Sequence, residues 1–359
     1  MKINFLISSL LTGMIVSSCT TNHEDVILDL EQPAKFNVTL TSNNESLKTR
    51  TNTEVGTDLE NKLSHVAFYV FKEGGSLEKS VAATPEQIQA GTYNIDCTTG
   101  KKFVYAITND EALFGRVAKG MQKDTFEAMV TEEFKTAPAS PFTMVGMHPH
   151  LLTLQPSTDG STPSKTLTID VTRLAGKVTV ALSELAKPKF TVTGFKIVNA
   201  NPYSNYFLKG TSSKKDANET EIDPNNETEF NAWTDDYYKD NYAYVGATEA
   251  AYALENWNTD PRRGNTTCII IEGSFNNGAN TFYRFNLGGK EAKWAFNRNT
   301  HYKVTISDVY EDGYETDKEA EKPGESKPTD PLVQDVKISA SLQITDWTVV
   351  EQNDEIGKE

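Results

Sequence analysis

The chain has 359 residues, 37% of them hydrophobic and 24% charged, and a formal net charge of −15. That length allows two ordinary domains, each with its own core. The acidity argues against nucleic acid or an anionic membrane face as partner, because phosphate binding needs a basic surface. Three cysteines are too few for a disulfide scaffold.

Residues 1–18 read as a signal peptide: Lys2, an apolar run from Ile3 to Val16, then Ser17 and Ser18. The run is too short to span a bilayer. Val16-Ser-Ser-Cys19 has the form of a bacterial lipobox, with Cys19 as the acylated residue. In Lys35–Thr41, Phe36, Val38 and Leu40 share one face and Asn37, Thr39 and Thr41 the other, the period of a half-buried strand. Leu47–Thr53 is polar and reads as an exposed loop tip, where nicking concentrates. It holds Arg50, the only arginine before Arg116, so an arginine-specific protease has one early target, the Arg50–Thr51 bond.

Strands are expected at Lys62–Phe71, Gly91–Cys97 and Lys101–Thr108, the last two spaced like a hairpin, with a turn at Glu73–Ser76. Asp110–Phe134 has helical spacing, which Gly115 and Gly120 divide into two short helices. Short strands follow at Phe142–Met147 and Leu151–Leu154. The alternation in Lys165–Leu182 breaks around Arg173, where a domain junction is placed. Beyond it, strands are expected at Phe190–Val198, Thr266–Gly273, Thr281–Leu287 (a hairpin with the preceding strand around Asn276–Gly278) and Thr300–Ser307. Gly210–Glu229 reads as a charged loop; it lacks the spaced ligands of a calcium loop. Glu311–Asp330 reads as a flexible linker. The tail alternates again through Val336, Ile338, Ala340, Leu342 and Ile344, then shifts phase to Trp347 and Val349. An amphipathic strand isolated behind a linker is an exposed edge, and suits donation to a neighbour.

The chemistry of an enzyme is missing. His148-Pro-His150 is the only histidine pair and reads as a solvated turn. No phosphate loop, nucleophile elbow or zinc motif stands in a suitable context. No metal and no cofactor are expected. Cys97 and Cys268 read as buried thiols or a single bridge.

The ordered set of features resembles the fimbrillins, subunits of the type V pili of Gram-negative bacteria. The likeness rests on Cys19 in its lipobox, the short strand before Arg50, and Phe142-Thr-Met-Val-Gly. It rests also on Val171-Thr-Arg-Leu-Ala-Gly-Lys-Val, Asn297-Arg-Asn-Thr-His-Tyr-Lys-Val, and the tail Ile344-Thr-Asp-Trp-Thr-Val-Val. It implies a mainly β chain of two transthyretin-like β-sandwich domains with short helices, at 51–172 and 173–330. They follow a signal peptide (1–18) and a lipidated propeptide (19–50) and precede a donor segment (331–359). It implies a precursor anchored in the outer membrane only by the lipid on Cys19, cut after Arg50 by an extracellular arginine-specific protease. The strand carrying Phe36, Val38 and Leu40 then leaves. The neighbour's Val336, Ile338, Leu342, Ile344, Trp347 and Val349 replace it, giving a head-to-tail homopolymer. Implied partners are accessory pilus subunits and host or bacterial surface receptors, in adhesion and biofilm formation. The alternatives are a tip or capping adhesin of the same pilus, and a glycan-binding surface lipoprotein using the aromatics of Trp233–Trp257.

Overall fold

The computed structural model describes residues 31–41, 53–157, 163–207, 242–256, 267–287, 296–321 and 337–348. The chain divides between Glu31 and Gln32, and every element below belongs to the part from Gln32 onward. In chain order the strands are β1 (Pro33–Thr41), β2 (Thr53–Val55), β3 (Val66–Lys72), β4 (Leu77–Ala82), β5 (Thr92–Thr98), β6 (Gly100–Thr108), β7 (Met144–Met147), β8 (Leu152–Leu154) and β9 (Lys165–Arg173). They continue as β10 (Ala175–Leu182), β11 (Phe190–Val198), β12 (Val245–Gly246), β13 (Ala251–Leu254), β14 (Cys268–Phe275), β15 (Asn280–Asn286), β16 (Thr300–Val309) and β17 (Ile338–Thr348). Short helices are α1 (Asp58–Asn61), α2 (Pro85–Ala90), α3 (Glu111–Arg116), α4 (Lys123–Glu127) and α5 (Asp317–Glu321). The protein is mainly β.

The first sheet runs β4-β3-β6-β7-β9-β1-β5, with β8 paired to β6. β3 is a continuous apolar run because both of its faces are covered. Val66, Phe68 and Val70 meet Phe36, Val38, Tyr93, Ile95, Leu167 and Ile169 from the β1, β5 and β9 side. Ala67, Tyr69 and Phe71 meet Leu113 of α3 and Phe126 of α4 on the other. β9 joins the two parts. Its first six residues pair with β1 and its last three with β7. The chain then passes directly from Arg173 into β10, the break placed in the alternation.

β10 opens a second sheet, β13-β10-β16-β17-β2, and β12-β11-β14-β15 form a third. One apolar cluster joins them, with Val178, Phe195, Ile197, Ile269, Ile271, Tyr302, Val304 and Ile306 among its members. β14 and β15 form the expected hairpin, turning at Asn276 and Asn277, both at positive φ, which asparagine tolerates.

Three expectations are corrected. Gly91–Cys97 and Lys101–Thr108 are not a hairpin: β5 pairs with β1, and β6 with β3, β7 and β8. Gly100, at φ 98°, turns the chain from one part of the sheet to the other. The segment read as a linker is structured as far as Glu321. Tyr314 bridges to Phe282, Ala320 of α5 is buried, and Lys196 pairs with Asp317 and Glu321, each at 2.8 Å. The tail is not an unpaired strand either, because β17 lies antiparallel along β16. Besides α5, six elements have no counterpart among the expected ones: β2, β4, β12, β13, α1 and α2. Residues 210–229, the leader and the Arg50–Thr51 bond lie outside the described residues.

Gly146 of β7 stands opposite Val171 of β9 in their antiparallel pairing. A Cβ there would collide with the Asp170 carbonyl and the Ile169 side chain. Gly146→Ala is expected to lower unfolding stability by about 1–3 kcal/mol through overpacking, read as a drop in the urea midpoint.

Candidate functional site

β1 is an inserted strand. It runs antiparallel to β5 over Pro33–Thr39 and parallel to β9 over Phe36–Thr41, so both edges are paired. Ala34, Phe36 and Val38 are buried, and Leu40 is half-buried against the same cluster. Burying the two large side chains fully contributes about 1.5–3 kcal/mol each. The Lys35 carbonyl accepts from Ser164 N–H at 2.8 Å and Ser164 Oγ at 3.0 Å, and Thr41 Oγ1 bonds to Asp170. One flaw offsets this. Asn37 Oδ1 is buried and finds no hydrogen-bond partner among the described residues, a desolvation cost of about 1–3 kcal/mol. Of the three residues expected on this strand, two are fully buried and Leu40 less so; Ala34 was missed because a small residue at a strand end carries little hydrophobic signal.

β17 is held differently. It pairs with β16 along its length, whereas β2 covers only Asp346–Thr348 on the other side. From Ile338 to Thr345 its outer edge has no strand beside it among the described residues. Ile338 is buried, and Ala340, Leu342 and Ile344 are half-buried against the core of the second and third sheets. Trp347, expected on the donated face, is fully buried in its own chain. Val336 and Val349 lie outside the described residues.

Trp347 belongs to a cluster built around Arg173, which is also fully buried. The guanidinium stacks 4.2 Å from the indole centroid. Its Nη1 donates to the Trp347 carbonyl at 2.9 Å and to Asn299 Oδ1 at 3.3 Å, Nε donates to the Glu60 carbonyl at 3.2 Å, and Nη2 bonds to Asn61. Phe142 and Tyr252 complete the aromatic wall, at 5.3 Å and 5.6 Å from Trp347. Burial pushes the Arg173 pKa down to about 10, against the pull of the Glu60 carboxylate, so the group stays charged at neutral pH. Phe142, Arg173, Asn299 and Trp347 come from four of the segments on which the family resemblance rests. The structure brings them to one place.

The other candidates stay apart. The rings of His148 and His150 stand 6.3 Å apart and perpendicular. Among the described residues no group of three or more His, Cys, Asp or Glu gathers into a metal site. Cys97 lies on β5 and Cys268 on β14, and they are not bridged. Of the aromatic stretch, Tyr242 and Tyr252 face inward, and 233–241 lie outside the described residues.

Glu60 anchors the cluster from α1. Burial alone would raise its carboxyl. Hydrogen bonds from Tyr252 Oη at 2.6 Å and Thr57 N–H at 2.7 Å, with Lys177 at 2.9 Å, outweigh that and hold its pKa at about 2. A depressed carboxylate stabilises fully above its ordinary pKa of 4.5, and that stability is lost as pH falls towards about 2. Urea midpoints taken across this window are expected to fall less steeply in Glu60→Gln than in the parent, from a lower starting point.

The family model for the major fimbrial subunit protein (FimA) matches residues 34–222, beginning inside β1. No curated protein matches the chain. Among solved structures, a fimbrilin (FimA) of Porphyromonas gingivalis W83 is similar at TM-score 0.55 and 14% identity, covering 89% of this chain and 99% of that one. The tip fimbrial protein Mfa3 of Porphyromonas gingivalis, solved with a C-terminal truncation, is similar at TM-score 0.54 and 13% identity, covering 88% and 100%. A candidate cell adhesion protein of Bacteroides eggerthii reaches TM-score 0.56 at 15% identity, covering 89% and 97%. At these identities the three structures speak for the fold, whereas the family model spans more than half of the sequence. The chain belongs to the major fimbrial subunit protein (FimA) family.

Proposed function

We propose that the chain is a structural stalk subunit of a surface pilus, assembled by strand exchange. The precursor is exported, lipidated on Cys19 and cut between Arg50 and Thr51 by an extracellular arginine-specific protease. The strand bearing Phe36, Val38 and Leu40 leaves. The C-terminal strand of the next subunit, with Val336, Ile338, Leu342, Ile344, Trp347 and Val349, takes its place. The mature subunits form extracellular fimbriae with accessory subunits and contact receptors on host or bacterial surfaces in adhesion and biofilm formation; the role is structural.

One observation carries the reading: β1 is paired on both edges. Its departure opens a slot with two unpaired ladders and an uncovered core, which only another strand can satisfy. The incoming strand gives up a site of its own. β17 leaves a ladder on β16 and half-buried apolar contacts, so the gain per joint is the difference between a two-sided slot and a one-sided dock. The contact is head-to-tail and does not close, which builds a filament. A tip subunit that accepts a strand without donating one is the second reading. It is favoured by the likeness to the tip protein Mfa3 and by the burial of Trp347 at home.

The purified chain lacking residues 1–19 is treated with an arginine-specific protease. Ladders that survive SDS are expected after the cut and not before. A chain ended at Asp335 is expected to be cut and to form none. Ladders from the shortened chain would refute the role of the tail, and capping of full-length polymers without growth would favour the tip reading.

A further inference from the structure

β2 is three residues long and pairs in parallel with the last residues of β17: Thr53 with Asp346, Glu54 with Trp347, Val55 with Thr348. The next residues close over the same tryptophan. Gly56 is buried, and a Cβ there would sit 2.7 Å from Arg173 Nη2 and 2.9 Å from Trp347 Nε1. The backbone therefore lies directly on the arginine–indole stack. Asn61 Nδ2 donates to the Gly56 carbonyl at 2.9 Å, and its Oδ1 accepts from Arg173. α1 between them is fixed by a capping box, with Thr57 and Glu60 exchanging hydrogen bonds. One guanidinium thus holds Thr53–Asn61 and the end of β17 together.

We propose that Thr53–Asn61 is a clasp that keeps the C-terminal strand docked on its own chain until the chain is cut upstream. The proposal rests on the reading that the Arg50–Thr51 bond is cut and the C-terminal strand donated. Residues 42–52 join β1 to β2. While β1 is seated between β5 and β9, and α1 is fixed to Arg173, β2 is tethered at both ends. Pairing its three residues then costs little further chain entropy. The cut frees one end. β2 must now bear the whole cost of ordering itself for a ladder of three residues, which a strand that short does not recover alone. Its fraying unpairs Asp346–Thr348 and uncovers Trp347. That leaves β17 on the one-sided ladder to β16. The same cut thereby opens the acceptor slot and loosens the donor.

Two measurements test this. In the chain lacking residues 1–19, Val55→Cys/Thr348→Cys staples β2 to β17 when oxidised. After protease treatment the reduced protein is expected to form ladders, and the oxidised protein to be cut, by mass, yet form them at least about tenfold more slowly, as for a step needing local opening. Equal rates in both states overturn the clasp. No ladder from the reduced protein refutes strand donation instead, and the second measurement then decides the clasp. Amide hydrogen exchange of residues 338–348 is followed in the unstapled chain, dilute enough that no ladder forms. Exchange is expected to be about tenfold faster after the cut, and comparably faster in uncut Gly56→Ala, with the amides of β10 unchanged. Unchanged exchange in both overturns the clasp whether or not ladders form.

Discussion

A charge is buried at the meeting point of this fold, and the segments around it are arranged to make that tolerable. Among the described residues, no carboxylate pairs with Arg173. Its donors end on neutral oxygens from α1, Asn299 and Trp347, and its flat face rests on the indole. The Glu60 carboxylate that could have paired with it is engaged by Tyr252 and Lys177. A guanidinium taken out of water costs several kcal/mol unless its hydrogen bonds are met. The arrangement is therefore close to all-or-none: each contributing segment makes sense only with the others in place. That explains why the segment after β1, the β9–β10 passage, the turn before β16 and the end of β17 are tied to one another across the whole sequence.

The two strands nearest the chain ends are built to different specifications. β1 is locked by ladders on both edges but carries an amide oxygen on Asn37 that has no partner among the described residues. β17 has one long ladder, an outer edge with no strand beside it over much of its length among the described residues, and half-buried rather than buried apolar side chains between its two anchors, Ile338 and Trp347. A strand held tightly in place by its neighbours, yet imperfect within itself, fits a provisional occupant. A strand anchored at its ends and loose in the middle fits one with a second home.

Much of the strand content was legible because alternation and long aromatic or β-branched runs announce strands locally. β1, β3, β6, β9, β10, β11, β16 and the β14–β15 hairpin all carried such patterns. Pairing was not legible: β5 and β6 are neighbours in sequence, yet β5 pairs with a strand some sixty residues upstream, because the core formed by Tyr93 and Ile95 needs Phe36 and Val38. α2 had a local signature that went unread, with Thr84 and Gln87 as a capping box, Pro85 in the first turn and Gly91 as the left-handed stop. α5 hid inside a polar stretch, since its docking depends on Lys196, far away in the chain. The Arg173 cluster showed in the sequence only as four separate segments of family likeness. That they touch is a tertiary fact, and no periodicity encodes it.

Ala34 of β1 stands opposite Cys97 of β5, on the face turned towards the first core. With β1 seated, burial and the nearby Glu78 push the thiol pKa up to about 12, so almost none of it is thiolate at neutral pH. If β1 leaves as proposed, water gains that position and burial, the larger of those two causes, is relieved. Under the proposed exchange Cys97 would therefore serve as a reporter of occupancy, its thiol less reactive towards alkylating reagents while the seat is filled than while it is vacant.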